Sequence, residues 1–165
     1  MKERSKHPDL KVLIVIGSVT IYATAKGDYV CFVSDLDICN DGSGPSHGDT
    51  SYQSETAYYN GGKFLNADKD KYIVIPPQVR SMVAPAVMGC KAWASNLDSK
   101  VTHAAVTGDI GPDNKTGEAS YCLAKILNPK ITHNSGDSRH IYFYELWPGI
   151  PAVVDGKHYK LEPAG

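Results

Sequence analysis

Hydrophobic and polar positions change period several times along the chain. Residues 11–16, KVLIVI, form a short apolar run. Residues 18–24 alternate, with Val19, Ile21 and Ala23 set against Ser18, Thr20 and Tyr22. A period of two rich in β-branched residues predicts two strands, broken at Gly17. Gly27-Asp28 is a hairpin turn signal, and residues 29–33 read as a third strand. Residues 72–75, YIVI, read as a core strand stopped by Pro76-Pro77, with a short turn over 78–82. Residues 84–93 read as a strand pair kinked at Gly89, and 101–107 as a strand ending at Gly108-Asp109. Residues 56–65 carry no regular pattern. Residues 140–146 alternate with Ile141, Phe143 and Glu145 on one face and Tyr142, Tyr144 and Leu146 on the other. Val153-Val154 and residues 159–161 form a last hairpin around Asp155-Gly156.

One window has the helical period. Over residues 118–127, Ala119, Cys122, Leu123, Ile126 and Leu127 fall on one face, with Thr116 as N-cap and Asn128-Pro129 as a stop. Eight or nine short strands, one helix and no β–α–β alternation predict a mainly β fold. The expected unit is a compact single domain over residues 1–165, a β-barrel or sandwich with one packed α-helix.

Residues 34–51, SDLDICNDGSGPSHGDTS, break the strand pattern with Asp, Ser, Gly and Pro. Such composition predicts a loop, and loops this long are usually functional or disordered. An EF-hand is excluded. Counting from Asp35 puts Cys39 fifth and Ser46 twelfth, where Glu is required, and counting from Asp37 puts Gly48 twelfth. A substrate-facing acidic loop is the preferred reading, ahead of a solvated turn or an irregular calcium site.

Charge and composition narrow the classes. With 17 basic and 18 acidic residues there is no basic excess of the kind nucleic-acid binding needs. A hydrophobic fraction of 42% is too high for a disordered chain. No apolar run reaches the ~18 residues of a membrane span. The stretch MKERSKHPDLKVLIVIGSVTIYAT makes a poor signal peptide, because its charged part is long and its apolar part short. The four cysteines show no C-x-x-C spacing. Cys31 and Cys122 read as buried apolar residues, and if a bridge forms, Cys39 with Cys90 is favoured. His47, His103, His133 and His140 have no metal-like spacing, and His103 reads as a packed, hydrogen-bonded residue. No metal and no cofactor is expected.

The sharpest chemistry lies in VTGDIGPDNKTGEAS, residues 106–120, where Asp109 and Glu118 stand nine residues apart among glycines. A carboxylate just after a strand faces a barrel rim, and a second at a helix start is held rigidly. Two such groups suit glycoside hydrolysis, one donating a proton and the other activating water. The plain alternative is a Gly-Asp turn followed by a Glu that favours the helix dipole. Trp147, before Pro148-Gly149, is the aromatic best placed to stack on a sugar ring.

SDLDICNDG, GDTSYQSET, LNADKDKYIVIPPQV and AAVTGDIGPDNKTGEASYCLAKIL occur in that order, followed by IYFYELWPG. Together, over residues 33–149, they resemble the fungal-type chitosanases of glycoside hydrolase family 75. The GD turn after an apolar strand also resembles that of double-psi β-barrels, which favours a barrel over a sandwich. The resemblance implies a secreted enzyme that hydrolyses the β-1,4 bonds of an amino-sugar polymer internally, with inversion. Asp109 and Glu118 are the positions matching the family's catalytic pair, with Glu118 preferred as acid and Asp109 as base. Asp35, Asp37 and Asp49 are then expected to meet the cationic sugars, and Trp147 to bind substrate. The implied partner is a polysaccharide, with the protein a monomer. A non-catalytic carbohydrate- or cell-wall-binding module and a peptidoglycan-cleaving lytic enzyme are the alternatives.

Overall fold

The computed structural model describes residues 6–83 and 86–162. In chain order the elements begin with β1 (Lys11–Ile16), β2 (Val19–Ala23), β3 (Val30–Cys39), β4 (Tyr59–Asn60), β5 (Lys63–Phe64) and β6 (Tyr72–Ile75). Helix α1 (Pro77–Met82), β7 (Cys90–Asn96), β8 (Thr102–Ile110) and β9 (Glu118–Ser120) follow. Helix α2 (Tyr121–Leu127), β10 (Asp137–Pro151), β11 (Val153–Val154) and β12 (Lys157–His158) complete the described chain.

Six strands close on themselves in the order β3-β10-β7-β8-β6-β9, because β9 pairs back onto β3. Closure removes the unpaired strand edges that a sandwich would leave. The barrel that the sequence favoured is therefore the fold, with the β1–β2 hairpin as an extension beyond β3. Four of the six pairings are antiparallel, and β3–β9 and β6–β8 are parallel.

Strand β10 shows why the aromatic alternation matters. Tyr142, Tyr144 and Leu146 enter the main core, while Phe143 and Trp147 join Tyr29 and Cys31 in a smaller cluster on the other face. Each large side chain so buried contributes about 1.5–3 kcal/mol. Tyr144 stacks on Phe32 at 5.1 Å and donates its hydroxyl to the Asp35 carbonyl at 2.7 Å. That bond ties the core to the acidic half of β3.

Several boundaries differ from the sequence reading, each because pairing with a distant strand outweighs local composition. Strand β3 does not stop at Val33. It continues to Cys39, because β9 supplies a parallel partner for Asp37, Ile38 and Cys39. Strand β8 runs through Gly108 and Asp109 to Ile110 alongside β6. The helix starts at Tyr121 rather than Glu118, since residues 118–120 are taken by β9, and Ser120, not Thr116, precedes it. Thr116 instead shares a 2.7 Å hydroxyl contact with Ser34. Residues 77–82 form a second short helix, and 59–64 hold a small hairpin. The final hairpin pairs β11 with Lys157–His158 instead of 159–161, turning on Asp155 and Gly156, both at positive φ. Of the proposed strand pair over 84–93, residues 84–85 lie outside the described residues, and only Cys90 onward is strand. All four cysteines are free, which removes the Cys39–Cys90 bridge. Each of those two thiols is buried at its own hydrogen-bonding site, Cys39 on Tyr72 and Cys90 on Thr107. His103 is packed as expected, its Nδ1 at 2.7 Å from the Ala104 carbonyl.

Candidate active site

The GD…GE segment is not one loop. It leaves the barrel on β8 and returns on β9, with β6 between them. Val74 of β6 is in register with Asp109 on one side and with Glu118 on the other. Neighbouring strands lie about 4.8 Å apart, so the two acidic residues' Cα atoms are about 9–10 Å apart across Val74. Cross-strand partners project to the same face. Asp109, Val74 and Glu118 accordingly line one hollow of about 410 Å³.

Two glycines set this arrangement. Ile73 is opposite Thr107 but Val74 is opposite Asp109, so Gly108 is an extra residue, a β-bulge that re-aims the next side chain. A Cβ on Gly108 would sit 2.4 Å from Leu65 Cδ1 and 2.8 Å from Tyr72 Cβ. Gly117 has φ +81°, and its Cβ would sit 2.5 Å from the Asp35 carbonyl oxygen and 2.6 Å from Ser34 Oγ. Gly117 needs both its conformational freedom and its missing side chain. Its carbonyl accepts from the Asp37 N–H at 2.7 Å, which starts the parallel β3–β9 pairing.

The two carboxyl groups are held differently. Asp109 is 6% exposed. One oxygen accepts from the Ala57 and Ile110 N–H groups, both at 2.9 Å, and the other faces the Cys39 thiol at 3.8 Å. Burial pushes its pKa up to about 6, against the pull of the two backbone donors, with Asp41 pushing the same way. The Glu118 carboxyl group accepts no hydrogen bond among the described residues. Burial, then the neighbouring Asp37, raises it to about 7, and only Lys115 opposes. Asp37 is Glu118's register partner on β3, which explains their repulsion. The helix dipole expected at Glu118 is absent, because α2 begins three residues later.

A second hollow of about 350 Å³ adjoins the first. Asp49, Lys115 and Glu118 line both, so Glu118 stands on their shared wall. Asp37 lines one and Asp41 the other. Five carboxyl groups against the single Lys115 make this an acidic cleft. Asp49 is held ionised, since bonds from Ser51 and Asn40 outweigh its partial burial. Asp37 and Asp41 are raised by burial, each with a further push from an acidic neighbour.

Four of the six sequence candidates, Asp37, Asp49, Asp109 and Glu118, thus meet in one cleft. Asp35 sits beside Gly117 and lines neither hollow. Trp147 is remote, packed at 5.3 Å on Tyr29 with the Lys91 ammonium over its ring. Asp41, Cys39, Lys115 and His133 are cleft residues that sequence reasoning passed over. Asp41 lay in the acidic loop read as substrate-facing, but nothing local tied it to Asp109. Ligand atoms of Cys39, Asp41 and Asp109 lie within 4.8 Å of one another.

A closed barrel with two desolvated carboxyl groups facing one acidic cleft is an arrangement that suits glycoside hydrolysis. The family model described as fungal chitosanase of glycosyl hydrolase group 75 matches residues 33–163, and the chain belongs to that family. Membership supports a glycoside hydrolase acting on chitosan. No curated protein matches the chain.

Proposed function

We propose that the protein is an inverting, endo-acting chitosanase in which Glu118 is the general acid and Asp109 the general base. The observation that carries this reading is the placement of the two residues either side of Val74 in one hollow. Two strand steps favour the ~6.5–9.5 Å carboxyl separation of inverting enzymes over the ~5–5.5 Å of retaining ones. The direction of the pKa difference supports this assignment of roles. Near pH 6.5 Glu118, at about 7, is mostly protonated and Asp109, at about 6, mostly ionised. Glu118 gives its proton to the glycosidic oxygen as the C–O bond breaks. Asp109 takes a proton from the water whose oxygen bonds to the anomeric carbon from the opposite face. Solvent then restores both groups.

The backbone N–H groups that bond Asp109 hold its carboxylate in place, which a base needs. Glu118, free of such bonds, is able to turn its proton toward the leaving oxygen. The acidic cleft suits a polymer of glucosamine cations, each exposed pair contributing only about 0.2–1 kcal/mol. Hollows on both sides of Glu118 give room for sugars on both sides of the scissile bond, which favours internal cleavage by a single chain. Trp147 has no part in this reading, and Asp35 acts only by shaping the turn at Gly117.

The test is incubation with chitosan, chitin and peptidoglycan, with mass analysis of the products and NMR of the first-formed anomer. The expected result is glucosamine oligomers released from chitosan, with the α-anomer appearing first. A first-formed β-anomer overturns inversion. An anhydro-sugar product means a lytic enzyme, and binding without products means a non-catalytic module.

A further inference from the structure

Two histidines 86 positions apart in the sequence (133 − 47) come together at one end of the cleft, with one carboxylate between them. His47 Nε2 lies 2.7 Å from one oxygen of Asp68, and His133 Nε2 lies 3.1 Å from the other. The three residues come from three separate segments: the loop after β3, the turn before β6 and the segment after α2. We propose that His47, Asp68 and His133 form a binding site for a first-row divalent transition metal of the Zn²⁺ type, which clasps these segments together. The catalytic pair does not use this cluster, and the proposal stands independently of the hydrolytic reading.

The geometry fits such an ion. Ligand atoms of the three residues all lie within 4.8 Å of one another. Zinc bonds of about 2.0–2.2 Å in a tetrahedron place neighbouring ligand atoms about 3.3–3.5 Å apart. From 2.7 Å, the His47–Asp68 contact therefore opens by about 0.6–0.8 Å, and from 3.1 Å the His133–Asp68 contact opens by about 0.2–0.4 Å. Both imidazoles present Nε2 to the carboxylate, and neutral imidazole nitrogen is the preferred donor for this class of ion. In the ion-free state each Nε2–H can donate to Asp68. Metal binding requires that Nε2 carry no proton, the ring proton sitting on Nδ1. The side chains of His47, Asp68 and His133 are 28%, 29% and 25% exposed. An ion has an open approach, and water can take its remaining positions.

The backbone holds the ligand residues, but their rings must turn on binding: an ion lies in the plane of each imidazole it binds, so the stacked pair has to splay. The His133 ring is sandwiched between His47 and Tyr121, each at 3.5 Å between ring centroids. His47 adopts φ 51°, which is uncommon for a residue with a side chain, and its carbonyl accepts from Asn134 Nδ2 at 3.0 Å. Asp68 is set by a turn in which its N–H donates to Asn66 Oδ1 at 2.9 Å. Buried Asn40 donates to the His133 carbonyl at 2.7 Å and to Asp49 at 3.1 Å. The site is therefore coupled to the cleft wall, since His133, Asp49 and Glu118 line the same hollow. Local spacing could not reveal this cluster, because its residues lie far apart along the chain.

The test uses the full chain freed of metal by chelation, at pH 7.5. Zn²⁺ is titrated by calorimetry and Co²⁺ by its visible absorption, with Ca²⁺ as the hard-cation control. The expected result is one Zn²⁺ per chain, a tetrahedral or five-coordinate Co²⁺ spectrum, a raised Tm, and no competition by Ca²⁺. Losing a partner behind a metal ligand already costs about 10–100-fold in affinity. His47→Gln, Asp68→Asn and His133→Gln should each therefore weaken Zn²⁺ at least about tenfold. Absence of saturable one-to-one binding overturns the proposal. So does unchanged affinity in the His47→Gln/His133→Gln double variant, which places the ion elsewhere. Should a variant fail to fold, the Co²⁺ spectrum of the unaltered protein still decides, since a spectrum without imidazole nitrogen ligands is a refutation.

Discussion

Replacing Glu118 by Gln separates what the carboxyl does from what it costs to hold. Burial and Asp37 raise Glu118 from an ordinary 4.5 to about 7. A carboxyl whose pKa is raised on folding binds its proton more tightly in the folded state. Stability is therefore full below the unfolded value and is lost as pH climbs from about 4.5 through about 7. At about 1.36 kcal/mol per pH unit, the full interval corresponds to about 3 kcal/mol, and solvent reaching a partly open carboxyl trims this to roughly 2–3 kcal/mol. Gln cannot ionise and escapes the penalty. For a chain of this size 1 kcal/mol moves Tm by roughly 2–4 °C. The Tm of Glu118→Gln minus that of the unaltered protein should therefore grow by about 4–12 °C between pH 4 and pH 9. Any constant difference in packing between Gln and protonated Glu cancels in that comparison. Chitosan hydrolysis at pH 6.5 should fall by about 10²–10⁴-fold in the same variant, the usual cost of losing a general acid. Calorimetric melts at the two pH values and a reducing-sugar assay measure both. A Tm difference that stays constant with pH would sink the desolvation argument. Half the original rate surviving on every amino-sugar polymer would sink the acid assignment.

Two other consequences follow from the same cleft. The profile of kcat/KM against pH should be a bell between about 6 and 7, since Asp109 must be ionised and Glu118 protonated. Asp37→Asn removes a like charge beside Glu118 and should move the alkaline limb down by roughly 0.5–1 pH unit; Asp41→Asn should move the acid limb down similarly, through Asp109. Limbs that stay fixed in both variants refute the assignment of neighbours. Trp147→Ala should cost about 3–5 kcal/mol of stability, as expected for a buried ring. It should leave KM for chitosan unchanged, because the ring lies outside the cleft; a raised KM with an unchanged melting temperature would restore Trp147 to the substrate.

Much of the fold was legible because period-two patterning is local: β1, β2, β6 and the aromatic face of β10 follow from adjacent residues. The strand ends were not, because they depend on partners far away in the chain. Residues 34–39 carry two aspartates and read as loop, yet they extend β3 because β9, some 80 positions later, offers backbone groups to pair with. The same missing partner hid the start of α2. A glutamate ahead of an apolar helical pattern looks like a first-turn residue, stabilised as an anion by the helix dipole. Taken into β9 beside Asp37, it becomes a carboxyl that resists ionisation. Three residues of boundary thus reversed the sign of the electrostatic argument.

The nine-residue spacing of Asp109 and Glu118 has a structural reading of its own. It is the path from β8 past the end of β6 to β9, a lateral step of about 9–10 Å made over residues 111–117. The middle of that path, Pro112 to Lys115, is exposed. What fixes the pair lies at the two ends: the bulge at Gly108, wedged against Leu65 and Tyr72, and the turn at Gly117, wedged against Ser34 and Asp35. The spacing itself therefore carries less of the site than the two glycines that bound it. A search for this arrangement in other chains should hold Gly-Asp and Gly-Glu fixed and let the length between them vary.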